Sequence, residues 1–519
     1  MTARRLPVRT LIVLAGAVCI VAIGWQIRHA PETYPYGDYA TTSIYTLRAA
    51  KGELGTGAYS RFHWNHPGPL LYEILAPLYA LSGRREVSLK WTMLIVNVGV
   101  LAALLTYLSR RSRWLAATTA LALLPMIWFE QRLLFWAWNP AAPLLPLALG
   151  IALAAGVCAG DIAVLPWLCV VVSFLAQTHV ALVPISLLLT AAALGAVLWR
   201  VRSPGPDERR AAWRALAVSA AVAIALWTVP VVHDLRAASS NLAALARFFA
   251  ASRTSHPWSQ VTDIFANELV AAFNPSRELI TGDLPASASS GVRAWATIQL
   301  LLLGVTAVSS YRRGRRFETA FCTLCLLASF LGLVAIRSIV GDISDYLIIW
   351  IGVIGALNVA ALASSLDLLW PLRPLTSRPG DRPWRLSIAI GIAAIALLGA
   401  IRLDEKQRAD SGDHTLLHIA SDLTRYCDAH HYVRPLFTFD WKVWHAAAGV
   451  VLQLYKTDRP VSVGDDVRFM FGEPFARTGR EPAELYLMST ADEAMPDGVT
   501  RFTWITTTGE YRLVQVFRN

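Results

Sequence analysis

The chain has 519 residues, 55% of them hydrophobic and only 16% charged, with a mean hydropathy of +0.45. Soluble globular domains carry roughly a quarter charged residues, so this composition excludes a soluble enzyme and indicates a polytopic membrane protein. The net charge of +11 does not call for nucleic acid, because the basic residues sit in short loops beside apolar runs, where charge sets topology.

The segment MTARRLPVRT precedes LIVLAGAVCIVAIGW, which is of about membrane-spanning length and lacks a convincing small-x-small cleavage site. It reads as an uncleaved first helix. About ten further apolar stretches follow, near 90–108, 114–130, 143–159, 162–178, 180–199, 214–232, 293–311, 317–336, 346–363 and 386–402. With the N-terminus inside, the inner loops hold Arg4, Arg5 and Arg9, then Arg110, Arg111 and Arg113, then Arg200, Arg202, Arg209 and Arg210. Arg312, Arg313, Arg315 and Arg316 follow, and finally Arg373, Arg378, Arg382 and Arg385. The short Gly160-Asp161 turn is the neutral exception. This alternation satisfies the positive-inside rule. It predicts a multi-pass protein of the cell membrane, with a cytoplasmic N-terminus and a transmembrane domain over 1–402.

Three long segments then fall outside: 29–89, 233–292 and the tail 403–519. The first concentrates Asp38, Arg48, Lys51, Glu53, Arg61, His63 and His66, whereas the apolar stretches contain almost no ionisable residues. Polar chemistry is costly at membrane depth and cheap at the surface, so the working groups belong on the outer face. Asp38 follows a turn signalled by Pro35 and Gly37, and a carboxylate there can act as a general base. Ile44, Leu47 and Arg48 have helical spacing. Arg61, His63 and His66 form a basic cluster beside Tyr59 and Trp64, a combination suited to a phosphate-bearing lipid or sugar. The run PLLYEILAPLYALSG is short and proline-interrupted, and predicts an interfacial or re-entrant helix.

Further along, several polar groups each admit two readings. Glu130 and Arg132 near Trp138-Asn139-Pro140 form either an ion pair or part of a substrate-binding loop. His179, at the outer end of a tight hairpin, is either a satisfied interfacial side chain or a substrate contact. His256, Trp258, Asp263 and Glu268 either border a groove or are ordinary loop groups. VTDIFANELVAAF spaces its apolar residues as a short amphipathic helix placed at the interface. Arg337 ends its stretch on the outer side, beside Asp342, Asp345 and Tyr346, and reads either as a phosphate ligand or as an interfacial anchor. Cys322 and Cys325 have no second ligand pair and read as packing residues.

The tail changes character. LDEKQRADSGDHTLLHIASDLTRYCDAHH reads as a linker and an amphipathic helix, and RPLFTFD, RPVSVGD, ELYLMS and VTRFTWITT read as short strands. Residues 403–519 therefore predict a small extracytoplasmic α/β domain.

The order of features in the first long segment is specific. Gly37-Asp38-Tyr39 after the first helix, the Arg-bearing helix, the His and aromatic segment, and Asn65-His66-Pro67-Gly68-Pro69-Leu70 before the next span resemble the first outer loop of the GT-C superfamily of glycosyltransferases. Protein O-mannosyltransferases and the lipid A aminoarabinose transferase belong to it. Gly68 stands where the superfamily commonly has Pro, and Tyr39 where a second acid often sits. The resemblance implies that the about eleven spans read from the apolar stretches form a GT-C-like helical fold, and it implies a sugar donor carried on polyprenyl phosphate. It also implies an envelope glycan, lipid or protein acceptor, and inversion at the anomeric carbon with Asp38 as base. His66, Arg61 and Arg337 would bind the donor phosphate, with His63, Trp64, Asn139, His179, Asp345 and Tyr346 around the substrate. One carboxylate holds a divalent cation far less firmly than two, so metal use stays open and no other cofactor is implied. Two readings from other classes compete: a lipid flippase or transporter, and a non-enzymatic envelope assembly protein.

Overall fold

The computed structural model describes residues 8–202, 205–237, 239–252, 255–274, 284–285, 287–368, 382–492 and 495–518. Arg4, Arg5, Arg373 and Arg378 lie outside the described residues, as does 275–283 of the second long segment. The chain divides into two compact units. Unit one gathers Met1–Glu53, Glu73–Met93 and Ala400–Asn519; unit two gathers Leu54–Tyr72 and Leu94–Gly399.

In chain order the helices begin with α1 (Val8–His29), α2 (Gly37–Ala50), α3 (Leu70–Leu81), α4 (Glu86–Ser109), α5 (Arg113–Phe129) and α6 (Leu144–Ala159). Next come α7 (Leu165–Thr178), α8 (Val183–Val201), α9 (Pro206–Arg236), α10 (Asn241–Ala251), α11 (Trp258–Val270) and α12 (Ser290–Arg312). The last are α13 (Arg316–Arg337), α14 (Trp350–Ser364), α15 (Arg382–Asp410), α16 (Thr415–Ala429), α17 (Trp444–Lys456) and the single turn α18 (Arg468–Phe471). Every apolar stretch of the sequence is helical. Among the described residues six segments reach the length and hydropathy of a membrane span: Glu86–Ser109, Val180–Val201, Pro206–Arg236, Ser290–Arg312, Arg316–Arg337 and Leu386–Asp410. Exposed Ile224, Leu301, Val305, Ile390 and Leu397 on three of these helices give them the apolar outer faces that lipid requires.

Shorter helices fill the middle of unit two. Helix α6 is buried continuously from Leu144 to Val157, and α14 buries Trp350 through Asn358. Small residues let such helices approach closely. At Gly355 of α14 an added Cβ would overlap the Leu269 carbonyl of α11. Helix α11 is therefore packed inside unit two, with Val261, Ile264, Phe265 and Leu269 buried, and does not lie free along an interface. The amphipathic spacing is real, but its apolar face meets α14 instead of lipid.

The loops of unit two sort to two ends. At one end Arg111 pairs with Asp161 and lies over the Phe317 ring at 5.7 Å, while Trp114 donates to the Ala363 carbonyl at 2.8 Å. Gly160 has φ 116, and a Cβ there would come within 2.5 Å of Arg200 Nη2. The neutral turn is thus enclosed by arginines from neighbouring loops. His179, after α7, and Arg337, at the end of α13, lie at the opposite ends of their helices.

In unit one α2 is buried over Ala40–Arg48 and packs against α17. Glu86, 5% exposed, joins its parts: it accepts hydrogen bonds from Ser43 (2.5 Å) and Tyr79 (2.9 Å), and Lys456 pairs with it at 3.1 Å. A buried carboxylate persists only with such partners. Helix α15 continues to Asp410 through the residues expected as linker, supported by Asp404–Arg408 (2.9 Å) and Lys406–Asp410 (2.6 Å) one turn apart. The tail sheet comprises β1 (Leu436–Phe439), β2 (Ser462–Val463), β3 (Glu484–Ser489), β4 (Val499–Thr508) and β5 (Tyr511–Arg518), in the order β2-β1-β3-β5-β4. Strand β1 is parallel to β2 and β3, and β5 is antiparallel to β3 and β4. Four of these strands are the expected ones; β5 and α17 add to them.

Candidate active site

The site residues expected from the sequence divide between the units. Asp38 belongs to unit one. His66, Arg61, Arg337, His63, Trp64, Asn139, His179, Asp345 and Tyr346 belong to unit two.

In unit one, Asp38 occupies the first turn of α2, where the helix dipole favours a carboxylate. Gly37, with φ 51, makes the turn into the helix, and a Cβ at this position would stand 3.2 Å from Cη2 of Trp444. The Asp38 carbonyl accepts from Thr41 Oγ1 at 3.1 Å, and Tyr39 is 42% exposed. Just before the turn, the Tyr36 hydroxyl donates to Asp413 Oδ2 at 2.5 Å. Partial burial opposes ionisation of Asp413, but hydrogen bonds from Tyr36 and Thr415 hold its carboxyl below the usual carboxylate range. The same burial, with Asp413 beside it, raises the Tyr36 hydroxyl. At the far end of α2, buried Arg48 donates to the Phe471 carbonyl at 3.1 Å and the Glu53 carbonyl at 3.4 Å. Gly472, with φ 90, leaves room for that guanidinium, which a Cβ would overlap. Arg48 is therefore a fastening between α2 and the tail, and both ends of the helix that carries Asp38 are held by tail residues.

In unit two, residues 57–66 form a short hairpin. Gly57 N donates to His66 O and His66 N to Ala58 O, each at 2.8 Å, with a bridge between Tyr59 and Asn65. His63, with φ 61, stands at its exposed tip. The base of the hairpin fits against α7 because it carries glycines: a Cβ on Gly68 would overlap the Gln177 side chain. This is why Gly68 stands in place of Pro, which would also lose the Gly68 N–H bond to Gln177 O (3.2 Å). Gln177 Nε2 in turn donates to Leu226 O at 2.8 Å, the α9 carbonyl left without its helical partner by Pro230.

His66 and His179 stack with ring centroids 4.7 Å apart. Backbone N–H groups cap both rings, Val180 N donating to His66 Nδ1 at 3.0 Å and Ala181 N to His179 Nδ1 at 3.3 Å. An Nδ1 that accepts leaves the proton on Nε2, so both rings are neutral donors. Burial, and for His66 also the neighbouring His179, pushes their basicity down: His66 well below its ordinary value, His179 to about 4. His66 is thus not the cation its place in a basic cluster suggested. Trp64 meets His66 edge-on at 5.5 Å and packs on Phe248 and Phe249 of α10 at 5.6 and 6.1 Å. Arg61 reaches from the hairpin to the loop after α13, donating to Val340 O at 3.3 Å and Asp342 O at 3.5 Å.

That loop carries the remaining candidates. Arg337 donates to His256 O at 3.3 Å and stacks over Trp258 at 4.3 Å. Asp345 is buried and accepts from Tyr346 N at 2.6 Å; the Tyr346 ring lies 5.6 Å from Trp138, which precedes half-buried Asn139. Glu130 and Arg132 form a two-point ion pair at 2.7 and 2.9 Å. The structure therefore gathers His66, His179 and Trp64 in one group, and ties Arg61 to the turn between Arg337 and Asp345. Tyr39 follows Asp38 where a second acid often sits, and among the described residues no group of three or more His, Cys, Asp or Glu stands together.

Several supporting residues lie beyond the sequence reading. Phe248, Phe249 and Asn241 sit on α10, whose start was signalled by Ser240: its Oγ accepts from Ala243 N at 3.0 Å. Gln177, Trp444 and His445 carry no local signal of their proximity to the loop.

A scan of protein-family models finds no match to this chain, and neither does a search of curated proteins. Solved structures do match. The chain is similar to ArnT from Cupriavidus metallidurans bound to undecaprenyl phosphate, with 12% identity, a TM-score of 0.50 and 98% of each chain covered. Against ArnT from the same organism in the apo state the identity is 14% and the TM-score 0.51, again over 98% of each chain. The likeness is one of fold: the chain has the GT-C architecture that its first-loop motifs resemble, and is a multi-pass membrane protein.

Proposed function

We propose that this chain is a membrane glycosyltransferase that moves a sugar from a polyprenyl-phosphate donor to a glycan, lipid or protein acceptor of the cell envelope. Fold likeness over 98% of both chains to a transferase structure holding undecaprenyl phosphate is the observation that carries this reading. The arginine-enclosed end of unit two supports a cytoplasmic position for that end, and an extracytoplasmic one for the end that carries His179 and Arg337, by the positive-inside rule.

In this reading Asp38 accepts the proton of an acceptor hydroxyl as that oxygen attacks the anomeric carbon. The bond from the anomeric carbon to the phosphate oxygen breaks on the opposite face, and configuration inverts. Arg61 and Arg337 offer charge to the departing lipid phosphate, and His66 offers a neutral Nε2–H. The packing of Trp444 against the turn at Gly37 supports the role of Asp38, because a base gains from being held in position before substrate arrives.

The test is Asp38→Asn in protein that inserts normally. Transfer from a lipid-linked donor should fall by about 10²- to 10⁴-fold. Transfer at the wild-type rate removes Asp38 from the mechanism, and lipid scrambling in vesicles without any sugar transfer favours a flippase.

A further inference from the structure

One indole ring of the tail, Trp444, stands beside the first turn of α2 and a second, Trp441, stacks on it; the chemistry assigned above leaves both unused. Trp441 opens a 3-10 turn, Trp441–Val443, that runs directly into α17 at Trp444. Side chains three apart eclipse in 3-10 geometry. The two rings accordingly overlie, with centroids 6.1 Å apart and planes 22° from parallel. Asp440 fixes the turn: its Oδ1 accepts from Lys442 N at 2.8 Å, while its own N–H donates to Leu487 O of β3 at 3.0 Å.

On its inner side the pair meets Gly37, where the absent Cβ lets Trp444 reach the backbone next to Asp38. On its outer side Trp441 is 56% exposed. Lone surface aromatics are ordinary. A braced pair adjoining a candidate base is not. Polar groups border it: Lys442 Nζ rests on Asp492 Oδ1 at 2.8 Å, and His445 Nε2 and the Tyr511 hydroxyl are 3.1 Å apart.

We propose that Trp441 and Trp444 form a platform for a carbohydrate acceptor, which lays the C–H face of one sugar ring on Trp441 and turns a hydroxyl towards Asp38. This rests on the reading of Asp38 as the base. A sugar ring pairs a face of polarised C–H groups with a rim of hydroxyls. An indole face carries negative potential, and the bordering side chains supply donors and acceptors. The donor's phosphate would need cations, and the one that borders the ring pair, Lys442, is already matched by Asp492. An anionic membrane surface would meet the carboxylates of Asp413, Asp440 and Asp492.

The experiment uses the full chain in lipid nanodiscs, labelled with 5-fluorotryptophan and titrated with methyl hexopyranosides and methyl arabinofuranosides. Trp441→Phe assigns the Trp441 fluorine resonance. At least one glycoside should shift the Trp441 and Trp444 resonances saturably. Read at Trp444, Trp441→Ala should weaken that binding about tenfold at unchanged thermal midpoint, and Trp441→Tyr should restore it to within about twofold. Silence of both resonances towards every glycoside overturns the platform, as does a shift caused only by exchanging neutral for anionic nanodisc lipid. Asp38→Asn separates the two ideas. A glycoside response that persists while Asp38→Asn transfers at the wild-type rate sinks the base and keeps the platform. Loss of transfer with no glycoside response sinks the platform alone.

Discussion

At the residue scale, the stacked pair His66 and His179 joins structure to pH. Each ring accepts a backbone N–H at Nδ1, so adding a proton breaks a cap and sets like charges 4.7 Å apart. A histidine whose folded value is depressed contributes stability above its unfolded value near 6.5 and loses it as pH falls towards the folded value. For His179, held at about 4, the loss at pH 5 is about 2 kcal/mol. The thermal midpoint in detergent should therefore drop between pH 7 and pH 5. His179→Gln keeps an acceptor for Ala181 N but does not titrate, and should flatten the drop; an equal drop in this variant would discard the explanation. Gly68 offers a second test. Gly68→Ala forces a Cβ into Gln177 and should cost roughly 1–3 kcal/mol. Gln177→Ala in the same chain should recover part of that loss in a double-mutant cycle, and strict additivity would argue against the contact.

At the element scale, α2 is held at one end by Tyr36 on Asp413 and at the other by Arg48 on Phe471. Arg48→Met leaves the Phe471 carbonyl without its charged donor, a loss of about 1.5–3 kcal/mol. Limited proteolysis should then cut the tail faster near 470, while helices of unit two keep their protection; an unchanged digestion rate would show the fastening to be dispensable. Arg48 also marks how far the sequence is legible. The helical spacing of Ile44, Leu47 and Arg48 is visible, as are the apolar helices, the short helix in PLLYEILAPLYALSG and four of five strands, because each is written in local periodicity. The partner of Arg48 lies more than 400 residues away, and nothing near either residue announces it. For the same reason a basic cluster suggested a cationic His66, whereas burial against His179 makes that ring neutral. The spacing of VTDIFANELVAAF gave a helix correctly but not the neighbour that covers it. Strand β5, with its alternating YRLVQVFR, and α10, with Ser240 as its cap, are elements beyond those expected that also carry local signals.

At the scale of the whole molecule, unit one is drawn from three separated stretches of chain, 1–53, 73–93 and 400–519. Glu86 receives Ser43, Tyr79 and Lys456, so the tail is part of the core that supports α2. Removing residues 411–519 should therefore destabilise the segment that carries Asp38 and lower the amount of intact protein in the membrane, measured by immunoblot with an N-terminal epitope. Wild-type levels with protected loops would mean that α2 stands without the tail. Topology is tested independently: cysteines placed at exposed Arg110 and exposed Val433 should label from opposite sides of sealed vesicles, and labelling from one side would overturn the proposed orientation. The joint at Glu86 has one more consequence. Because Lys456 closes it, the chain must be made past residue 456 before the first loop reaches its final form. Nascent chains halted before that point would leave Glu86 without Lys456, and the helix that carries Asp38 would mature only once the tail has emerged.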